Sequence, residues 1–418
     1  KRRTSDSNSL TSNNMDWDFL IKDKSEISVS TDTRTLPEGC VFFALHGQNF
    51  NGNRFALQAL EMGAEYAVVD EDIDMTGTGD FTPISDVFSN WVCGYGNWCG
   101  TFDGQGHTIS HMQVHKNSRS AALARAALFG NVSAGATIKN LTLDGTCSFE
   151  SDYGVAAGFV GYVGYEGATT ASAVQLENLT NHAAVTSSVA AGGIVALGYT
   201  GNTGSSFGYA ERTVQTLTLD NCKNYGAVTN SASSEAQGYG TGGLIGYGET
   251  PTTNLTGCRN EGNVSGTGTS AGTGTGGLVG VSYKTFYLTD CTNTGTITST
   301  QDKVGGMVGR GYGASVIHMT RCTNSGAVTG EKNHVGGFVG LTGGSSVNSF
   351  DACSNSGAVT GVQSVGGLLG QQNSGTATLE NCSNMGAVES TGIYTVDDFN
   401  VVDGVWTLKP GVPDYKAT

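Results

Sequence analysis

The chain has 418 residues, 36 acidic against 21 basic, for a formal net charge of −15. That balance excludes a nucleic-acid-binding surface, which needs a Lys/Arg stripe. No run of 18 apolar residues is present to cross a membrane as a helix, and glycine, at 64 residues, is about twice its ordinary share.

Residues 1–14 are Ser/Asn-rich, with a basic start at Lys1, Arg2 and Arg3 and no apolar stretch behind it. They read as a disordered tail and not as a signal peptide. The first residue is Lys, so the start of the gene product is expected upstream. Residues 15–73 read as a small α/β segment: strand Val41–Leu45, helix Arg54–Met62, strand Tyr66–Val69. Composition breaks near Asp70–Met75. Residues 1–73 hold 4 glycines with 7 basic and 12 acidic side chains, against 60, 14 and 24 in residues 74–418.

Residues 74–145 are expected to cap the next domain and form its first turn. Trp91, Tyr95 and Trp98 suit a hydrophobic plug over an open end. Cys93 and Cys99 could form a disulfide in an oxidising compartment or remain two thiols. His107, His111 and His115 would share a face on a helix. Gly104, Gly106 and the β-like Thr108-Ile109 place them on strands and a bend instead, so no metal site is expected. Asp103 reads as a turn residue.

Residues 146–395 repeat one sentence. A Gly-Gly-apolar phrase recurs at Gly192-Gly193-Ile194, Gly242-Gly243-Leu244, Gly276-Gly277-Leu278, Gly305-Gly306-Met307, Gly336-Gly337-Phe338 and Gly366-Gly367-Leu368. A C-x-N-x-G phrase recurs at Cys222, Cys258, Cys291, Cys322, Cys353 and Cys382, with spacings of 36, 33, 31, 31 and 29 residues. A fixed core with variable spacers is the mark of a solenoid. Short β-segments without helical periodicity, three per unit, predict a mainly β fold: a right-handed three-sided parallel β-helix. Leu128-Phe129-Gly130 and Gly158-Phe159-Val160-Gly161 open two earlier units, making eight, a rod on the order of 40 Å long.

Columns follow from the repeat. Val228, Val264, Ile297, Val328, Val359 and Val388 should stack inward, as should Leu219, Leu255, Leu288, Met319, Phe350 and Leu379. Asn224, Asn260, Asn293, Asn324, Asn355 and Asn384 should form an amide ladder at a bend. The glycines that follow (Gly226, Gly262, Gly295, Gly326, Gly357, Gly386) are expected to supply positive φ. The six cysteines lack the close pairing of zinc sites, and Leu141 and Leu179 occupy the same place earlier. A buried column of free thiols is therefore the expectation. Residues 396–418 form a C-terminal extension.

The Gly-Gly-Leu-Val-Gly phrase at Gly276–Gly280 resembles the GLUG motif, a repeat of large bacterial surface proteins. These include adhesin-like proteins and the non-catalytic parts of some IgA-specific metallopeptidases. Residues 71–145 resemble the lead-in to such repeats, in Glu71–Gly77, Gly100–Ile109 and Ala136–Leu141. The resemblance implies an extracellular or cell-surface scaffold or adhesin, with a surface glycan or protein of host or bacterium as partner.

Residues 28–70 resemble the N-terminal domain of Mur ligases, nearest to the ligase that adds D-alanyl-D-alanine. Thr31, Asp32, Thr33 and Arg34 match its T-D-[ST]-R signature, and Phe50, Asn51 and Gly52 its F-[DN]-G turn. The resemblance implies a UDP-binding role for Thr31, Asp32, Thr33, Arg34, Asn51 and Gly52, and a UDP-sugar-binding module is one alternative function. The ligase's ATP domain needs a Gly-Lys-[Ser/Thr] phosphate loop, and Gly-Lys occurs nowhere. A cytoplasmic nucleotide-sugar fragment before a surface-type solenoid reads as a chimeric or wrongly joined frame.

A carbohydrate-active β-helix enzyme is the other alternative. It needs two converging carboxylates or an acidic cluster for Ca²⁺. Asp220, Asp351 and Glu380 share a column interrupted by Thr256, Thr289 and Thr320. The expectation is no catalysis, no metal and no cofactor.

Overall fold

In a computed structural model of the chain, residues 28–47, 50–64, 66–68, 71–85, 98–117, 124–164, 173–198, 214–232, 239–269, 273–344, 346–392, 399–402 and 405–408 are described. The tail 1–14, Trp91, Cys93 and Tyr95 lie outside them.

The first unit is a parallel sheet of Val29–Ser30, Val41–Phe43 and Tyr66–Val68, with Val41–Phe43 in the middle. A 3₁₀ turn, Gly52–Phe55, runs into the helix Ala56–Glu61, which is shorter than the helix expected. Ala56, Leu57, Ala59 and Leu60 are its buried residues. They join Cys40, Phe42 and Ala64 in one apolar cluster that continues through Ile73 and Met75 into the coils. Asn51 Nδ2 donates to Glu71 Oε1 (2.5 Å) and Arg54 to the Thr76 carbonyl (3.1 Å). The composition break at Asp70–Met75 is thus not a break in packing.

Between residues 73 and 390 the described residues form a parallel β-solenoid of about eight turns. The coil 304–330 shows its plan: Val304–Gly305, Val308–Gly311, Val316–Thr320, Thr323–Asn324 and Val328–Gly330. Three expected segments per unit become five strands in four sheets. The reason lies at the Gly-Gly step, where the chain turns between Gly305 and Val308. A Cβ on Gly306 would stand 2.1 Å from the Gly337 carbonyl oxygen and 2.5 Å from the Asn324 amide. No side chain fits there, so the chain can bend tightly against the next coil.

Every coil pairs in parallel with the next. Val228, Val264, Ile297, Val328, Val359 and Val388 are register partners in sequence. So are Leu219, Leu255, Leu288, Met319, Phe350 and Leu379. Alternation along each strand sends these side chains inward and their neighbours outward. The first coil is closed by Trp98, 3% exposed, whose ring lies 4.7 Å from that of Phe129. Among the described residues no helix is long and apolar enough to cross a membrane.

One expectation is corrected. None of Gly226, Gly262, Gly295, Gly326, Gly357 and Gly386 has positive φ; each is needed for space. A Cβ on Gly295 would sit 2.0 Å from the Gly262 carbonyl oxygen, and the other five meet a carbonyl oxygen of the preceding coil equally closely. The left-handed residue stands just before each cysteine: Asn221, Gly257, Asp290, Arg321, Ala352 and Asn381, at φ 50–60°.

Candidate functional site

The ladder residues lie inside the coils. Cys222, Cys258, Cys291, Cys322 and Cys353 are free and buried, and Cys382, in the last coil, is half-buried. Each thiol bonds a backbone carbonyl; Cys322 Sγ donates to Leu288 O at 3.4 Å. The neighbouring Cys291 thiol, with burial adding to it, pushes Cys322 up to about 12. Burial likewise raises Cys258. The Cys258 and Cys322 thiols are therefore neutral and unreactive at ordinary pH. Cys99 is disulfide-bonded; Cys93, its expected partner, lies outside the described residues.

The asparagines form an unbroken amide chain. Asn224 Nδ2 donates to Asn260 Oδ1 (2.8 Å), Asn260 to Asn293 (2.8 Å), Asn293 to Asn324 (2.7 Å), Asn324 to Asn355 (2.7 Å) and Asn355 to Asn384 (2.7 Å). The same nitrogens donate to the glycine carbonyl two residues on, at 2.8–3.0 Å. Asn181 begins the chain, donating to Asn224 Oδ1 at 2.8 Å. Sequence reading missed it, although Leu179-x-Asn181 is the repeat phrase with Leu in place of Cys. From Asn181 to Asn355 these side chains are buried and bonded and offer nothing to a ligand; Asn384, in the last coil, is exposed.

The UDP-type residues occupy two turns. Asp32 caps the turn Thr33–Thr35, accepting the Arg34 N–H at 2.9 Å. It also holds the Arg34 guanidinium at 2.6 Å, which lowers its own carboxyl to about 2. Arg34 thus spends its charge on its neighbour. Thr31 is exposed and Thr33 half-buried. Asn51 caps the following turn through Asn53 N (2.8 Å) and bonds Glu71, and a Cβ on Gly52 would strike the Leu45 carbonyl.

The three histidines do not converge; each meets its own carboxylate. His107 Nδ1 lies 3.3 Å from Asp72, His111 Nδ1 3.0 Å from Asp74 and His115 Nε2 3.4 Å from Asp152. Asp103 ties its turn, accepting from Gln105 N (3.0 Å) and Asn140 Nδ2 (2.9 Å). What does converge is His115, Glu150 and Asp152, whose ligand atoms lie within 4.8 Å of one another. His115 and Glu150 are register partners in successive coils, so their meeting is visible only once the coils are stacked. One imidazole and two carboxylates are a donor set a divalent cation accepts. All three are exposed, where water competes for the ion and no buried second shell orients the ligands.

A second cluster lies on the outer corner between the strands before and after the Gly-Gly bend. Tyr239, Tyr247, Tyr283 and Tyr312 touch in sequence, with ring centroids 4.9, 6.3 and 5.1 Å apart. The Arg310 guanidinium stands 4.3 Å above Tyr312, and Lys284 Nζ 5.1 Å above Tyr283. Burial, then the nearby Arg310 charge, lowers Lys303, and burial lowers Arg310 itself. In an acidic chain this corner concentrates cations around apolar rings, a combination suited to holding a ligand by stacking and charge.

No family model matches the chain, and no curated protein does. Among solved structures, the chain is similar to a crystallised "putative immunoglobulin A1 protease" from Bacteroides ovatus. The identity is 18%, with 70% of this chain and 71% of that chain covered and a TM-score of 0.46. A likeness at that level supports no statement of activity.

Proposed function

We propose that this chain is a non-catalytic, surface-type β-solenoid that acts as a scaffold or adhesin, binding a glycan or protein of another surface through its Tyr–Arg corner. The observation that carries the reading is the unbroken run Tyr239–Tyr247–Tyr283–Tyr312, flanked by Arg310 and Lys284. The rings meet edge-on, tilted and stacked in turn, with Tyr247 buried beneath half-buried Tyr239 and Tyr283 and exposed Tyr312, so the outer rings are held in place and contact a partner at little entropic cost. The carboxylates along the coils favour binding over catalysis. Asp290 is taken up by Arg321 at 2.7 Å, and Asp351 accepts from Asn381 at 3.1 Å, so neither is set up as half of an acid–base pair.

The test has two arms. Binding to a glycan array and to intact bacterial and epithelial surfaces should fall at least tenfold in Tyr283→Ala/Tyr312→Ala, with thermal stability nearly unchanged. Pectins, glycosaminoglycans and protein substrates should show no new ends after incubation with the chain. Turnover abolished by removing one acidic side chain would refute the reading.

A further inference from the structure

The two ends of the solenoid are not alike. At the first coil, isolated bridges at Asp80, Ile84 and Trp98 cover strand edges. At the last coil Gln363–Gly366, Leu369–Gln371, Gly375–Glu380 and Val388–Ser390 each pair with the preceding coil and, among the described residues, with no following one. Positions sealed in earlier coils are open there: Leu379 is 42% exposed where Phe350 is 1%, and Asn384 is exposed where Asn355 is buried. Leu368, Leu369, Leu379, Asn384 and Val388 line a groove of about 820 Å³. The backbone is unfinished as well. The N–H groups of Gly337, Phe338, Ala352 and Val359 donate to carbonyls of the following coil. Their equivalents Gly367, Leu368, Asn381 and Val388 have no acceptor among the described residues. An open edge over an apolar core invites pairing with whatever strand reaches it.

The same chain continues from this end. Thr391 N and Gly392 N still bond back to the carbonyls of Gly361 and Val362. After six intervening residues comes an antiparallel hairpin, Phe399–Val402 with Val405–Leu408. Its register pairs Phe399 with Leu408 and Val401 with Trp406, and Asn400 with Thr407. The register sets Phe399, Val401, Trp406 and Leu408 at one series of alternate positions and Asn400, Val402, Val405 and Thr407 at the other, so the first series is the more apolar. A two-stranded hairpin of this size is marginal in water unless its apolar face packs on something.

We propose that the C-terminal hairpin 399–408 is the cap of this solenoid, laying its Phe399/Val401/Trp406/Leu408 face over the open last coil. Six intervening residues span up to about 20 Å, enough to fold back over one coil. Tethering gives the hairpin an effective concentration near the millimolar range, which a second copy or a foreign strand would have to exceed.

Hydrogen exchange on the full chain, on a chain ended after Gly392 and on full-length Trp406→Asp tests the proposal. Both variants should exchange at least tenfold faster in residues 363–390, with 258–330 unchanged. In sedimentation the full chain should remain monomeric, while the shortened chain associates with rising concentration. Unchanged exchange in both variants overturns the proposal. So does an effect of truncation with Trp406→Asp silent, which would assign the role to residues other than the hairpin. A full-length dimer whose last coil loses protection on dilution overturns it in favour of a second copy.

Discussion

Asn293→Ala tests whether the amide ladder holds the coils together. Asn293 is fully buried. Its amide donates to Asn324 Oδ1 (2.7 Å) and Gly295 O (3.0 Å), and its Oδ1 accepts from Asn260 Nδ2 (2.8 Å). Alanine removes three bonds at about 1 kcal/mol each and strands the Asn324 oxygen in the interior, for a loss of about 3–5 kcal/mol. Asn293→Asp should cost at least as much, since the carboxylate has no N–H for either acceptor. The internal control is Asn384→Ala. That side chain sits at the exposed end, where water replaces what is lost, and about 1 kcal/mol is expected. Urea unfolding followed by circular dichroism reads the midpoints, and hydrogen exchange shows whether opening centres on coils 258–324. A midpoint for Asn293→Ala equal to that of Asn384→Ala would refute the ladder as a source of stability.

Gly295→Ala should fail to stack, because its Cβ would enter the Gly262 carbonyl, and soluble yield should collapse; Gly257→Ala, with positive φ and open space around it, should cost only about 1–2 kcal/mol. Thiol titration of the unfolded, unreduced protein should count the eight free cysteines, whereas the folded protein at pH 8 should react slowly; four or fewer in the unfolded chain would mean a cross-linked ladder. His334 has its pKa lowered by burial and a buried Nδ1 without a partner among the described residues. The unfolded chain therefore takes up the proton first, and stability is expected to fall as pH drops below about 6.5. His334→Asn, which tolerates the same left-handed backbone, should flatten that slope in thermal melts between pH 5 and 7. Calorimetry with UDP-N-acetylmuramic acid should find binding no tighter than millimolar, since Asp32 already holds Arg34; micromolar affinity lost in Arg34→Ala would make the first unit a working nucleotide-sugar binder.

The amino-acid sequence by itself determined the solenoid, its period and the contents of its interior columns. Each coil rebuilds the same surroundings, so one physical demand is written repeatedly: an amide at the bend, an apolar residue three before each cysteine, two glycines at the corner. Repetition turns a weak local signal into a legible one, even where the apolar residue three before the cysteine is Met319 or Phe350 and not Leu. Only the tertiary structure decided what depends on the neighbouring coil. The glycine after each ladder asparagine looked like a conformational device, yet it is there because a carbonyl oxygen from the coil below leaves no room for a Cβ. The left-handed residue before each cysteine escaped notice because Asn, Gly, Asp, Arg and Ala all fill it. His115 meets Glu150 and Asp152 because parallel register brings together residues 35 and 37 apart, a separation set by an irregular spacer and not by any local pattern. The Tyr–Arg corner has the same origin. Its rings come from different places in their repeats, and only stacking at the inter-coil distance puts them in contact.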